Sequence, residues 1–183
     1  MKCTVVAGIT LMILCISAHG ICAQIERTVN NVEIKPNLTS NVSGDLKDGR
    51  KIANLSFAWN SSIACFTATQ AAKFTGNHVF YTVQMRPHSI VTVTVVPKVA
   101  GTDLSLYGYQ LPPDTTTLPD SLGSVVTCEA DYKWDRPKTG KTQTDARSMT
   151  FNAIEGTHTL MIAVVGPNGA ISGAYTLKIS LKQ

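Results

Sequence analysis

The chain has 183 residues, of which 15% are charged, 7% aromatic and 44% hydrophobic, and its formal net charge is +4. That length suits one domain with a proper core and is short for two. The charge is too thin and too scattered along the chain for a nucleic-acid partner, which calls for a dense basic face.

Residues 1–23 have the three-part layout of a secretory signal peptide. Lys2 supplies the positive end, Val5 to Ile16 is apolar apart from Gly8 and Thr10, and the small residues Ala18, Gly20 and Ala23 follow. The apolar run falls short of the roughly 20 residues that a spanning helix needs, so a mature chain without a membrane span is expected. Cleavage is placed after Ala23, with Gly20 as the competing site. A lipid on Cys15 or Cys22 lacks the small preceding residue. Export to the outside, the periplasm or the cell envelope follows.

Removing this segment takes away Lys2 and leaves a formal +3; it also takes Cys3, Cys15 and Cys22. Cys65 and Cys128 remain, and in an exported domain they are expected to pair, the alternative being two buried thiols. A bridge closing so long a loop contributes about 4–5 kcal/mol in the loop-entropy account.

Residues 24–51 read as a polar, turn-rich leader carrying one or two short strands, and residues 52–183 as the folded domain. Asn37, Asn41, Asn54 and Asn60 each open an Asn-x-Ser/Thr acceptor, which carries glycan only if the chain is eukaryotic. A strand through Cys65 and a short helical turn over Gln70 to Lys73 are expected next. His78 to Met85 alternates, with Val79, Tyr81, Val83 and Met85 on one face. Arg86-Pro87-His88-Ser89 is turn chemistry, and Val91, Val93 and Val95 then alternate with threonines, so the two runs predict a hairpin. Asp103 to Leu111 alternates with Leu104 and Leu106 inward. Pro112 to Leu122, with three prolines, is an exposed excursion. Val125 to Cys128 is a short strand, Glu129 to Arg147 a long polar connection, and Ser148 to Ile154 a strand with Met149, Phe151 and Ala153 inward.

The last quarter, Gly156 to Leu181, predicts a final pair of strands around Gly166-Pro167-Asn168-Gly169. Tyr175, Leu177, Ile179 and Leu181 share one face of the second strand, the period of a sheet wet on one side. Seven or eight such runs without helical periodicity give an all-β fold. The expected form is an antiparallel β-sandwich of jelly-roll or immunoglobulin-like type, a single domain after the signal peptide.

Several pieces resemble, in order, the bacterial pre-peptidase C-terminal domain. They are Phe80-Tyr81-Thr82-Val83, Val91 to Val95, Asp103-Leu-Ser-Leu-Tyr107, Gly156 to Ile162 and Gly173-Ala-Tyr-Thr-Leu-Lys-Ile179, with Leu38 to Gly44 as an opening strand. The resemblance covers most of Leu38 to Leu181 and implies a jelly-roll sandwich. In that family the domain is a non-catalytic accessory or binding module of exported enzymes.

No Gly-x-Ser-x-Gly elbow occurs. His78, His88 and His158 read as surface residues at strand ends, and no paired Cys or His spacing marks a zinc site. Glu129, Asp131 and Asp135 are candidate calcium ligands, since calcium takes several oxygens from loops; calcium is the one candidate cofactor. Tyr132, Trp134, Arg136 and Lys138 form the candidate binding surface, because Trp, Tyr and Arg carry interface energy and aromatic faces stack on sugars. Opposed to this is Trp134 folding back onto the core. The expected function is a secreted, non-catalytic module binding an extracellular or envelope glycan or a matrix or surface protein. The alternative is a structural or assembly subunit.

Overall fold

The computed structural model describes residues 29–52, 54–55, 70–116, 127–130, 132, 139–140 and 143–183. Among them the chain forms β1 (Val29–Asn31), β2 (Thr39–Asp45), β3 (Arg50–Lys51), β4 (Asn77–Met85), β5 (Ser89–Pro97), β6 (Ser105–Leu111), β7 (Thr127–Glu129), β8 (Arg147–Ala153), β9 (His158–Val165) and β10 (Ala174–Lys182). The described residues contain no α-helix; 3-10 turns cover Leu46–Asp48 and Ala71–Phe74, the latter where a helical turn was expected.

The strands make two sheets. The first runs β1-β4-β9-β6-β7, with β3 also on β4, and the second runs β2-β10-β5-β8. All pairings are antiparallel except β1 on β4, which is parallel. The expected sandwich is therefore the observed fold. Its core is filled from both inner faces: Val79, Tyr81, Val83 and Met85 from β4, Leu160, Ile162 and Val164 from β9, Val91, Val93 and Val95 from β5, and the four apolar residues of β10. Each fully buried aliphatic chain there contributes on the order of 2 kcal/mol.

Two expected pairings are corrected. β4 and β5 are no hairpin, because β4 belongs to the first sheet and β5 to the second. β9 and β10 are likewise in different sheets. The physical reason is the same in both cases. A hairpin sets two apolar faces side by side, whereas a strand that crosses the gap sets them face to face and buries both. The turn after β4 makes the crossing with His88 at φ 52° and the Ser89 hydroxyl donating to the Arg86 carbonyl at 2.5 Å. Residues 24–51, where one or two short strands were expected, carry three among the described residues. These are β1, β2 and β3, and β2 pairs with β10 from Thr39 to Asp45.

A second apolar cluster covers the outer face of the first sheet, where Phe74, Phe80, Tyr107, Tyr109, Tyr132 and Met161 are buried. Phe80 and Tyr107 both pair with Ala163 between them, and that small residue lets their rings meet edge to face at 6.4 Å.

Candidate functional site

The connection from β7 to β8 carries most of the candidate site residues. Of these, Asp131, Trp134, Asp135, Arg136 and Lys138 lie outside the described residues, and so does Cys65. Glu129 ends β7 and is half-buried. Cys128 beside it is disulfide-bonded.

Tyr132 is corrected from surface contact to core: its side chain has no exposed area. It is drawn in because its hydroxyl has a partner inside. Ser105 Oγ donates its single proton to the Lys73 carbonyl at 2.8 Å, so the 2.5 Å contact between Ser105 Oγ and Tyr132 Oη is a donation from the tyrosine. Lys73 Nζ donates to the Ala130 carbonyl at 2.8 Å and lies 4.6 Å from the Tyr132 ring centre. The start of the long connection is thus held at Ala130 by the 3-10 turn before β4 and at Tyr132 by β6 of the first sheet.

The far end is held as well. Arg147 opens β8 at an inward-pointing place and is 5% exposed. Its Nη1 donates to the carbonyls of Thr144 and Ala146 at 2.9 and 2.7 Å, and its guanidinium carbon lies 5.4 Å from the Tyr132 ring centre. Its Nε and Nη2 are buried without a hydrogen-bond partner among the described residues. Asp145 Oδ2 accepts from the Gly101 amide at 2.8 Å. Both roots of the connection therefore converge on one tyrosine. Arg147, Ser105 and Lys73 were not anticipated; the alternation Met149, Phe151, Ala153, extended back by one step, places Arg147 inward.

The histidines do not assemble. His78 pairs with Val165 at one end of β4, and His158 pairs with Met85 at the other. Seven strand positions separate those ends, or about 23 Å. His78 is also corrected from surface to interior: it is 1% exposed, stacks on Phe80 at 6.0 Å and meets Tyr107 edge-on at 5.8 Å. Its Nδ1 lies 3.0 Å from the Gly76 carbonyl, so the proton of the neutral ring sits there. Burial pushes its pKa down to about 4. His88 is exposed, and His158 Nε2 lies 3.1 Å from the Glu155 carbonyl.

Asn37, Asn41 and Asn54 are exposed, and Asn60 lies outside the described residues. A crevice of about 380 Å³ opens at the sandwich edge between β1 and β2, lined by Asn30, Glu33, Ser43, Asp48 and Tyr81 among others. At its floor the Tyr81 and Tyr175 hydroxyls are 2.8 Å apart, and burial raises both phenol pKa values. Gly44 makes room for this pair, since a β-carbon there would stand 2.6 Å from both rings' outer atoms.

No protein-family model matches the chain, and no curated protein matches it. Solved structures are similar in fold. The pre-peptidase C-terminal domain of a collagenase from Bacillus anthracis is 11% identical with a TM-score of 0.40, covering 85% of this chain and 96% of its own. PliG of Aeromonas hydrophila, a periplasmic inhibitor of g-type lysozyme, is 9% identical with a TM-score of 0.42, covering 84% and 96%. CorA of Methylomicrobium album BG8, a surface-associated copper-binding protein, is 12% identical with a TM-score of 0.42, covering 84% and 97%. The first belongs to the family that the sequence resembles.

Proposed function

We propose that the protein is a secreted, periplasmic or envelope-located accessory module that catalyses nothing itself. It holds an extracellular glycan or a matrix or surface protein on the connection between β7 and β8. The observation that supports this reading is the shared anchor of that connection: Tyr132 at one root and Arg147 at the other, in contact with each other over the first sheet. A loop closed at its base on a rigid scaffold presents its remaining side chains at low ordering cost. Trp134, Arg136 and Lys138 are the contact residues in this reading, and Glu129, Asp131 and Asp135 the calcium ligands. Cys65 is the partner of Cys128, which ties the approach to the loop to the chain before Phe74.

The test is a glycan and matrix-protein binding array on the mature protein, with and without calcium. Trp134→Ala is expected to abolish retention on the neutral glycans or proteins of the array while mass in solution and melting temperature stay unchanged. Retention by Trp134→Ala equal to that of the parent chain would overturn the loop as the contact. A large, concentration-dependent oligomer that binds nothing on the array would favour an assembly subunit instead.

A further inference from the structure

The outer face of the second sheet is rich in hydroxyl and amide side chains, and it is built entirely from described residues. Registers between β2, β10, β5 and β8 align its outward side chains in rows. Thr39, Ser180, Thr92 and Thr150 form one row; Asn41, Lys178, Thr94 and Ser148 form the next. Ser43, Thr176 and Val96 follow on one side, and Lys182, Ile90 and Asn152 on the other. Four strands set about 4.8 Å apart, with outward positions about 6.8 Å apart along each, give a lattice of hydroxyl and amide groups. Neighbours in it bond across strands, Thr94 to Ser148 at 2.9 Å and Thr92 to Thr150 at 3.4 Å, which holds the rotamers and leaves each oxygen with further capacity to accept.

Positive charges outnumber negative ones on this face. Lys178 stands at its centre, Lys182 at one end, and Lys98 reaches Ser43 Oγ at 3.4 Å at the other. The four strands contribute a single outward carboxylate, Asp45 at the rim. That carboxylate is already satisfied by the amides of Lys47 and Gly173 at 3.0 and 3.1 Å, with Lys47 Nζ at 3.7 Å. Lys178 and Lys182 of β10 are thus joined by the distant Lys98 on one hydroxyl-rich plane, and among the described residues of its four strands no unengaged acid neutralises them.

We propose that this face binds an acidic polysaccharide lying across the strands. The three ammonium groups would meet its carboxylates or sulfates, and the Thr, Ser and Asn rows its ring hydroxyls. Charge complementarity selects an anionic chain, and the dense neutral donors and acceptors select a hydroxyl-rich one. The residues that carry this proposal are none of those assigned to the β7–β8 connection, so the two readings are tested by different variants.

The experiment measures retention of the mature protein on immobilised polygalacturonate and dextran sulfate against neutral dextran, with anionic phospholipid vesicles and duplex DNA as further arms. Retention is expected on the acidic polymers alone and to fade as salt shortens the Debye length from ~30 Å at 0.01 M to ~3 Å at 1 M. The exposed double variant K178E/K182E is expected to bind roughly tenfold more weakly, each surface charge pair being worth little alone. Thr94→Val/Thr150→Val, which keeps the lysines, is expected to weaken binding to the acidic polymers. Trp134→Ala is expected to leave it unchanged. Equal retention on neutral dextran, unchanged binding by K178E/K182E with an unchanged melting temperature, or stronger binding to vesicles or DNA than to either polysaccharide would each overturn the proposal.

Discussion

The two sheets share an inner core but differ on their outer faces, and neighbouring strands record the difference. β10 alternates: Tyr175, Leu177, Ile179 and Leu181 are buried while Lys178 and Lys182 are exposed. β9 does not alternate; every residue from Thr159 to Val165 is buried. The outer face of the first sheet lies under a second apolar cluster, so its central strand is apolar on both sides, whereas the outer face of the second sheet meets water. A strand's residue pattern therefore reports how many of its faces are covered.

The covered face should break first. Replacing Tyr132 removes a fully buried ring, the donor to Ser105 and the seat of two cations, so Tyr132→Ala is expected to cost about 4 kcal/mol in denaturant unfolding. Tyr132→Phe keeps the ring and loses the Ser105 bond, at about 1 kcal/mol. A loss for Tyr132→Ala below that for Tyr132→Phe would mean that the ring is no part of the covered face.

His78 sharpens the comparison through pH. The unfolded chain takes up a proton on this ring near pH 6.5 and the folded chain only near pH 4. Between these values the unfolded state binds more protons, so stability falls as the pH drops through the window and is level above it. The full loss is about 3 kcal/mol. His78→Phe keeps a flat ring against Phe80 and Tyr107 and is expected to remove this slope. Asp45, whose carboxyl is held low by the Lys47 amide, loses its contribution only as the pH falls further, below the His78 window. Unfolding free energies of both proteins at pH 8, 6 and 4.5 decide it, and parallel curves would place His78 in water.

The strands were legible in the sequence because alternation survives wherever one face is wet, as in β5, β8 and β10. Their partners were not. Val91 to Val95 and Val79 to Met85 show the same period whether they lie side by side or face each other, and period alone carries no address. The covered outer face was hidden for a related reason. Tyr107 and Phe80 fall on faces that a two-layer sandwich leaves in water, and the cluster that covers them adds Phe74 from the turn before β4 and Tyr132 from beyond β7. Of the candidate site, the location of the connection was readable from its polarity. The inward turn of Tyr132 was not, since it depends on Ser105 two strands earlier.

Smaller effects test how closely the shared core is fitted. Gly108 on β6 sits opposite Phe151 on β8, and a β-carbon there would stand 2.6 Å from Phe151 Cζ. Gly108→Ala is expected to cost about 2 kcal/mol as overpacking. Adding Phe151→Leu should return part of that loss, whereas independent sites would simply add. The exposed face supplies the opposite limit. Among the described residues the Thr94 hydroxyl bonds Ser148 across the strand at 2.9 Å in an exposed setting, and valine keeps both its shape and its strand preference. Thr94→Val should therefore move the unfolding free energy by no more than about 0.5 kcal/mol. A loss near that of Gly108→Ala would mean that something covers this face in solution, and the contrast between the two sheets would then vanish.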